Sequence, residues 1–165
     1  MPAPKSNIYI HDAAVGIAAG YYYGVSDEHI FGHNGAVGTA LETIWTEGGI
    51  YVYPDSALTM TVSSSDTDDT SAGTGARTIE IRGLDADYNR ISETVTLNGQ
   101  TEVECTNQYF RIQHMEVKTA GTSLWNEGII YIGTGDVTTG KPAVVYGLVD
   151  QFENESVMGI HTIAA

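Results

Sequence analysis

From residue 42 onward, short runs of alternating apolar and polar residues recur, each closed by turn chemistry. Leu58, Met60 and Val62 alternate with Thr59 and Thr61. Ile79 and Ile81 alternate with Thr78, Glu80 and Arg82, and Val103 and Cys105 with Glu102 and Glu104. A period of two sends successive side chains to opposite faces of an extended strand, so each run reads as a half-buried strand. Residues 50–53, 129–132 and 143–146 are short apolar runs, which suit strands covered on both faces. A last strand is expected over 157–163. Gly48-Gly49, Tyr53-Pro54-Asp55, residues 83–89, Asn98-Gly99, Gly133-Thr-Gly135 and Gly140-Lys-Pro142 are turn chemistry. Their spacing approaches the roughly 8–12 residues of a sandwich or barrel. Asn98-Gly99 is the strongest of these signals and predicts a tight hairpin between 94–97 and 100–105.

Two runs break the alternation. Glu93 shares parity with Ile91, Val95 and Leu97, which places it at an open rim of a sheet or requires a bulge. Between 109 and 117 the apolar phase switches near His114, which predicts a β-bulge. Helix is scarce. Ser26-Asp-Glu-His29 resembles a helix start, and Gly32, Asn34 and Gly35 would stop it within about two turns.

Composition agrees with a β protein. Glycine accounts for 19 of the 165 residues, and only 17% are charged. Lys+Arg is 7 against Asp+Glu 21, a formal net charge of −14. That balance disfavours binding to phosphate backbones or anionic membranes, which needs clustered cations. A single cysteine, Cys105, excludes an intrachain disulfide. The charge-free stretch 13–25 is too short to span a bilayer, which takes about 20 residues. Asp12 directly before it argues against a signal peptide.

Residues 1–40 stand apart, with few charges and no lasting periodicity. They are expected to form an extended N-terminal arm ahead of a domain at 41–165. Ile8, Tyr9, Ile10, Tyr21, Tyr22 and Tyr23 are its candidate interface residues, since tyrosine offers apolar area and a polar tip.

Chemical motifs are sparse. Asp66, Asp68 and Asp69 in the acidic loop 63–75 are calcium candidates, but the EF-hand spacing is missing. The expected state of that loop is a solvated, mobile connection, with no metal bound. His29 and His33, four apart, would share a helix face, but Gly32 weakens that helix and no third ligand lies nearby. Cys105 is expected inward, as a small hydrophobe. A pairing with His114 across a hairpin is the remaining nucleophile candidate. There is no Gly-x-Ser-x-Gly elbow and no phosphate-binding loop. Trp45 and Trp125 raise a carbohydrate question, but Trp45 or its neighbour Ile44 must face inward.

The middle of the chain carries a resemblance. Ile81-Arg-Gly-Leu-Asp85 leads to Glu93-Thr-Val-Thr-Leu-Asn-Gly99, then Tyr109-Phe-Arg-Ile112, Ala120-Gly121 and Gly128-Ile-Ile-Tyr-Ile-Gly-Thr134. This resembles a β-rich module of structural proteins in tailed bacteriophages. Upstream, Gly32-His-Asn34, Val37-Gly-Thr39, Glu42-Thr-Ile-Trp45 and residues 48–54 are similar to uncharacterised proteins of marine tailed phages. The resemblance covers roughly residues 32–135 and brings no catalytic motif.

The expectation is therefore an all-β antiparallel sandwich or jelly-roll-like domain with a non-enzymatic virion role. A capsid decoration or cement protein is its most specific form, assembled in the host cytoplasm without a cofactor. Its partners would be the major capsid protein or other virion proteins and itself, as a homo-oligomer such as a trimer. No nucleic acid or membrane is expected. The alternative is a tail or head-fibre module that binds host-surface glycan. A polysaccharide hydrolase ranks below both.

Overall fold

A computed structural model describes residues 13–18, 21 and 30–164. Seven strands among them form two antiparallel sheets. These are β1 (Leu58–Ser64), β2 (Ala76–Leu84), β3 (Arg90–Thr96), β4 (Val103–Tyr109), β5 (Arg111–Ala120), β6 (Ile130–Thr138) and β7 (Lys141–Val149). One sheet has the order β4-β1-β6-β7 and the other β3-β2-β5. The one helix among the described residues is α1 (Ala13–Ala18), inside the segment expected to be extended. The helix start at Ser26 lies outside the described residues.

The alternating apolar residues of both sheets meet in one core. Met60 and Val62 of β1, Ile79 and Ile81 of β2, Met115 of β5 and Ile132 of β6 are all fully buried within it. The fold is thus an all-β sandwich, as the period-two pattern implies.

The chain changes sheet at four of its six strand connections, and only β2–β3 and β6–β7 are hairpins within a sheet. The turn at Asn98-Gly99 forms, with Asn98 bridged to Thr101 and φ +60° at Gly99. Its flanking strands nevertheless enter opposite sheets, so the expected hairpin is a corner. Gly133-Thr-Gly135 is no turn but lies inside β6, where a bulge falls between Thr134 and Val137. The hairpin turn is Thr139-Gly140, both with positive φ. Its tip folds back to β1, where Ser63 Oγ donates to the Gly140 carbonyl at 2.9 Å. A side chain at Gly140 would put Cβ 1.8 Å from the Ser64 carbonyl oxygen, so only glycine fits.

The β5 bulge is present: Arg82 pairs with His114 and Gly83 with Ile112, which leaves Gln113 unpaired. Glu93 lies at the rim. β3 keeps regular pairing with β2, and the Glu93 carboxylate accepts from the amides of Thr106 (2.8 Å) and Asn107 (3.0 Å) on β4. The β1–β4 register slips at this point, between Thr59 and Thr61. Residues 154–156 cover the free edge of β5 through Val117 N to Asn154 O and Ser156 N to Met115 O. The 157–163 run makes no strand, although Met158 and Ile160 are buried.

Candidate interaction surface

Residues 30–57 contain no strand, yet they are tied down along their length. Asn34 Nδ2 donates to Glu42 Oε2 (3.0 Å), and Gly38 N to Glu42 Oε1 (2.8 Å). These bonds, Asn34's foremost, hold the Glu42 carboxyl below its ordinary pKa. Thr43 N donates to Gly49 O at 2.8 Å, and Tyr51 N to Thr43 Oγ1 at 2.9 Å. Trp45 and Tyr51 pack with Met158 and Ile160 in a second apolar cluster, against Val145 of β7. The Tyr51 hydroxyl donates to the Tyr146 carbonyl at 2.9 Å, and burial drives its pKa well above the usual value. Gly159 N donates to Ile44 O at 2.8 Å. A Cβ on Gly32 would lie 2.5 Å from Gly159 N, so the strap and the C-terminal segment touch backbone to backbone.

This anchoring leaves large apolar side chains outward. Eight of the sixteen exposed large hydrophobic residues among those described fall between 30 and 53. Val37, Leu41, Ile44, Ile50 and Val52 are prominent, with Leu41 91% exposed. The 50–53 run is therefore no covered strand. Its alternation buries Tyr51 and presents Ile50 and Val52 to solvent. An aromatic row continues from it. Tyr53 lies edge-on to Tyr51 at 4.9 Å, and the Arg111 guanidinium sits 4.8 Å from the Tyr53 ring and 3.8 Å from Phe110. Phe110 in turn meets Tyr88 at 5.4 Å.

Of the six candidate arm residues, Tyr21 is exposed, with its amide donating to Gly16 O at 2.9 Å. Ile8, Tyr9, Ile10, Tyr22 and Tyr23 lie outside the described residues, as does His29. The acidic loop is solvated at Thr67, Asp68, Ser71, Ala72 and Thr74, but it is not loosely held. Asp69 is fully buried, and its carboxylate accepts from Ser64 Oγ (2.6 Å), Ala76 N (2.7 Å), Glu127 N (2.9 Å) and Gly128 N (2.9 Å). Asp66 instead accepts from the Asp68 amide at 2.8 Å, so the three calcium candidates do not converge. Among the described residues, no group of three His, Cys, Asp or Glu side chains could hold a metal.

No protein-family model, curated protein or solved structure matches this chain.

Cys105 is inward, and burial pushes its thiol up to about 12, the opposite of what a nucleophile needs. It lies in the β4 sheet and His114 in the β5 sheet, so no shared hairpin joins them. A groove of about 660 Å³ is lined by Arg82, Arg90, Gln113, His114 and Met158, among others. Its Arg82 is tied to Glu80 (2.5 Å) and Glu116 (3.0 Å) on the outer sheet face, so its charge is already countered. Trp45 faces inward, while Trp125 is exposed. The outward residues of 37–52 were not singled out by sequence. Residues 50–53 read as a covered strand, and an apolar run does not say which of its side chains face solvent.

Proposed function

We propose that this chain is a non-enzymatic structural protein of a tailed-phage virion, in its most specific form a capsid decoration or cement protein. One observation carries the reading: Val37, Leu41, Ile44, Ile50 and Val52 are exposed on a strap that is itself firmly anchored. Large apolar side chains held outward on one anchored segment in this way suit a contact that is completed on association. A strand-rich body, with the β5 edge covered by residues 154–156, supports such a surface, and the resemblance of residues 32–135 to tailed-phage modules points to a particle. In this role the strap would bury its apolar side chains against neighbouring subunits and so clamp the shell.

Immunogold labelling of virions from the source phage, with antibody against residues 41–165, tests this. Label over the head is the expected outcome. Label confined to the tail would favour the second reading, a glycan-binding module. The exposed rings of Tyr53 and Tyr88, flanking Arg111 and Phe110, speak for that one. Absence of label on intact and disrupted particles would remove the virion reading.

A further inference from the structure

Leu124 and Trp125, in the β5–β6 connection, and Phe152, after β7, form a second exposed apolar patch. The Trp125 and Phe152 rings meet at 5.9 Å, and Leu124 is 73% exposed. Leu124 and Phe152 both hold positive φ, 70° and 68°. Bulky side chains are disfavoured in that conformation, where Gly or Asn fits without strain. Glycine or asparagine here would relieve the backbone and remove exposed apolar area, so stability does not account for these residues. The two loops are also locked together. Asn126, fully buried, donates to Gly128 O and Asp150 O at 2.7 Å each and accepts from Asn154 N at 3.0 Å. The Phe152 amide donates to Asn126 O at 3.1 Å.

The surroundings indicate what covers the patch. Glu127, Asp150, Glu153 and Glu155 stand within three residues of Trp125 or Phe152. Glu116, Glu153 and Glu155 line a shallow depression beside Leu124, and its one cation, Lys118, is already paired with Glu116 at 3.4 Å. A second copy would bring the same acids against these, and like charges facing one another oppose association. We infer that Leu124, Trp125 and Phe152 form a preformed knob that docks a basic protein surface with an apolar centre. This does not depend on the virion reading.

The test uses the isolated full chain and a fluorescent amphipathic Leu/Lys helical peptide, with a Leu/Glu peptide as control. L124N/F152N keeps the net charge, so purely electrostatic binding would survive it. The expected result is binding of the Leu/Lys peptide alone, weakened about tenfold or more in L124N/F152N. W125S, which replaces a residue without positive φ, should weaken it similarly and guards against a folding defect in the double variant. Equal affinity for wild type and both variants would overturn the inference. So would patch-dependent dimerisation in sedimentation, or patch-dependent binding to phosphatidylcholine vesicles.

Discussion

Both carboxylate oxygens of Asp69 are spent on hydrogen bonds that join β1, the start of β2 and the β5–β6 connection. Gly75 makes room for it, since a Cβ there would lie 2.2 Å from Asp69 Oδ1. Asp69→Ala would orphan three backbone amides and a hydroxyl, each costing about 1–3 kcal/mol if left unpaired. Water entering the gap would recover part of this, so a loss of about 3 kcal/mol or more is expected in urea unfolding. Cys105 gives a second test at this scale. Its buried thiol should resist alkylation at pH 8 in the native protein and react at the ordinary rate once the chain is unfolded. At Leu124 the opposite of a usual core mutation is expected. Leu124→Gly should leave the melting temperature unchanged or raise it, because relief of left-handed strain is worth about 1–2 kcal/mol.

Among elements, Glu93 shows how a pattern break becomes a structural device. Its carboxylate takes up two β4 amides where that strand slips against β1, closing the seam between the sheets. Glu93→Ala should cost about 1.5–3 kcal/mol, the range for hydrogen bonds to a charged group, and raise aggregation on heating. The period of two made most strands legible, along with the β5 bulge and the rim position of Glu93. Connection geometry was not legible. Asn98-Gly99 encodes a tight turn, but nothing local says that β3 and β4 enter different sheets. Gly133 and Gly135 read as a turn because glycine serves close backbone approach and bulges equally well. At Gly133 a Cβ would lie 2.0 Å from the Val144 carbonyl oxygen. Residues 50–53 read as a covered strand and 157–163 as a last strand, yet they pack beside the sandwich without joining a sheet. The acidic loop hid Asp69, since three nearby aspartates look alike until one turns inward.

For the whole molecule, buried acids that are neutral when folded set the alkaline limit. Burial raises the pKa values of Cys105, Tyr51, Tyr109 and Tyr131, while in the unfolded chain these groups ionise at ordinary values near 8.5 and 10. The folded state then binds more protons above those values, so stability falls as pH rises from about 9 to 12. The acid side should be shallower. Glu42, Glu80 and Asp85 have lowered pKa values, from their bonds to Asn34, Arg82 and Asn89 respectively. Stability they contribute is present above ordinary carboxylate values and lost as pH falls through the lowered ones. All three are solvated, which keeps that loss small. Equilibrium unfolding followed from pH 3 to 12 should show this asymmetry.

On the proposed function, the anchored strap is an assembly surface. Oxidative footprinting of Leu41, Ile44, Ile50 and Val52, in the isolated chain and in the source particle, tests it most directly. High reactivity at all four in the isolated chain and strong protection in the particle are expected, with Met60 protected in both. Equal reactivity of the four in chain and particle would contradict it.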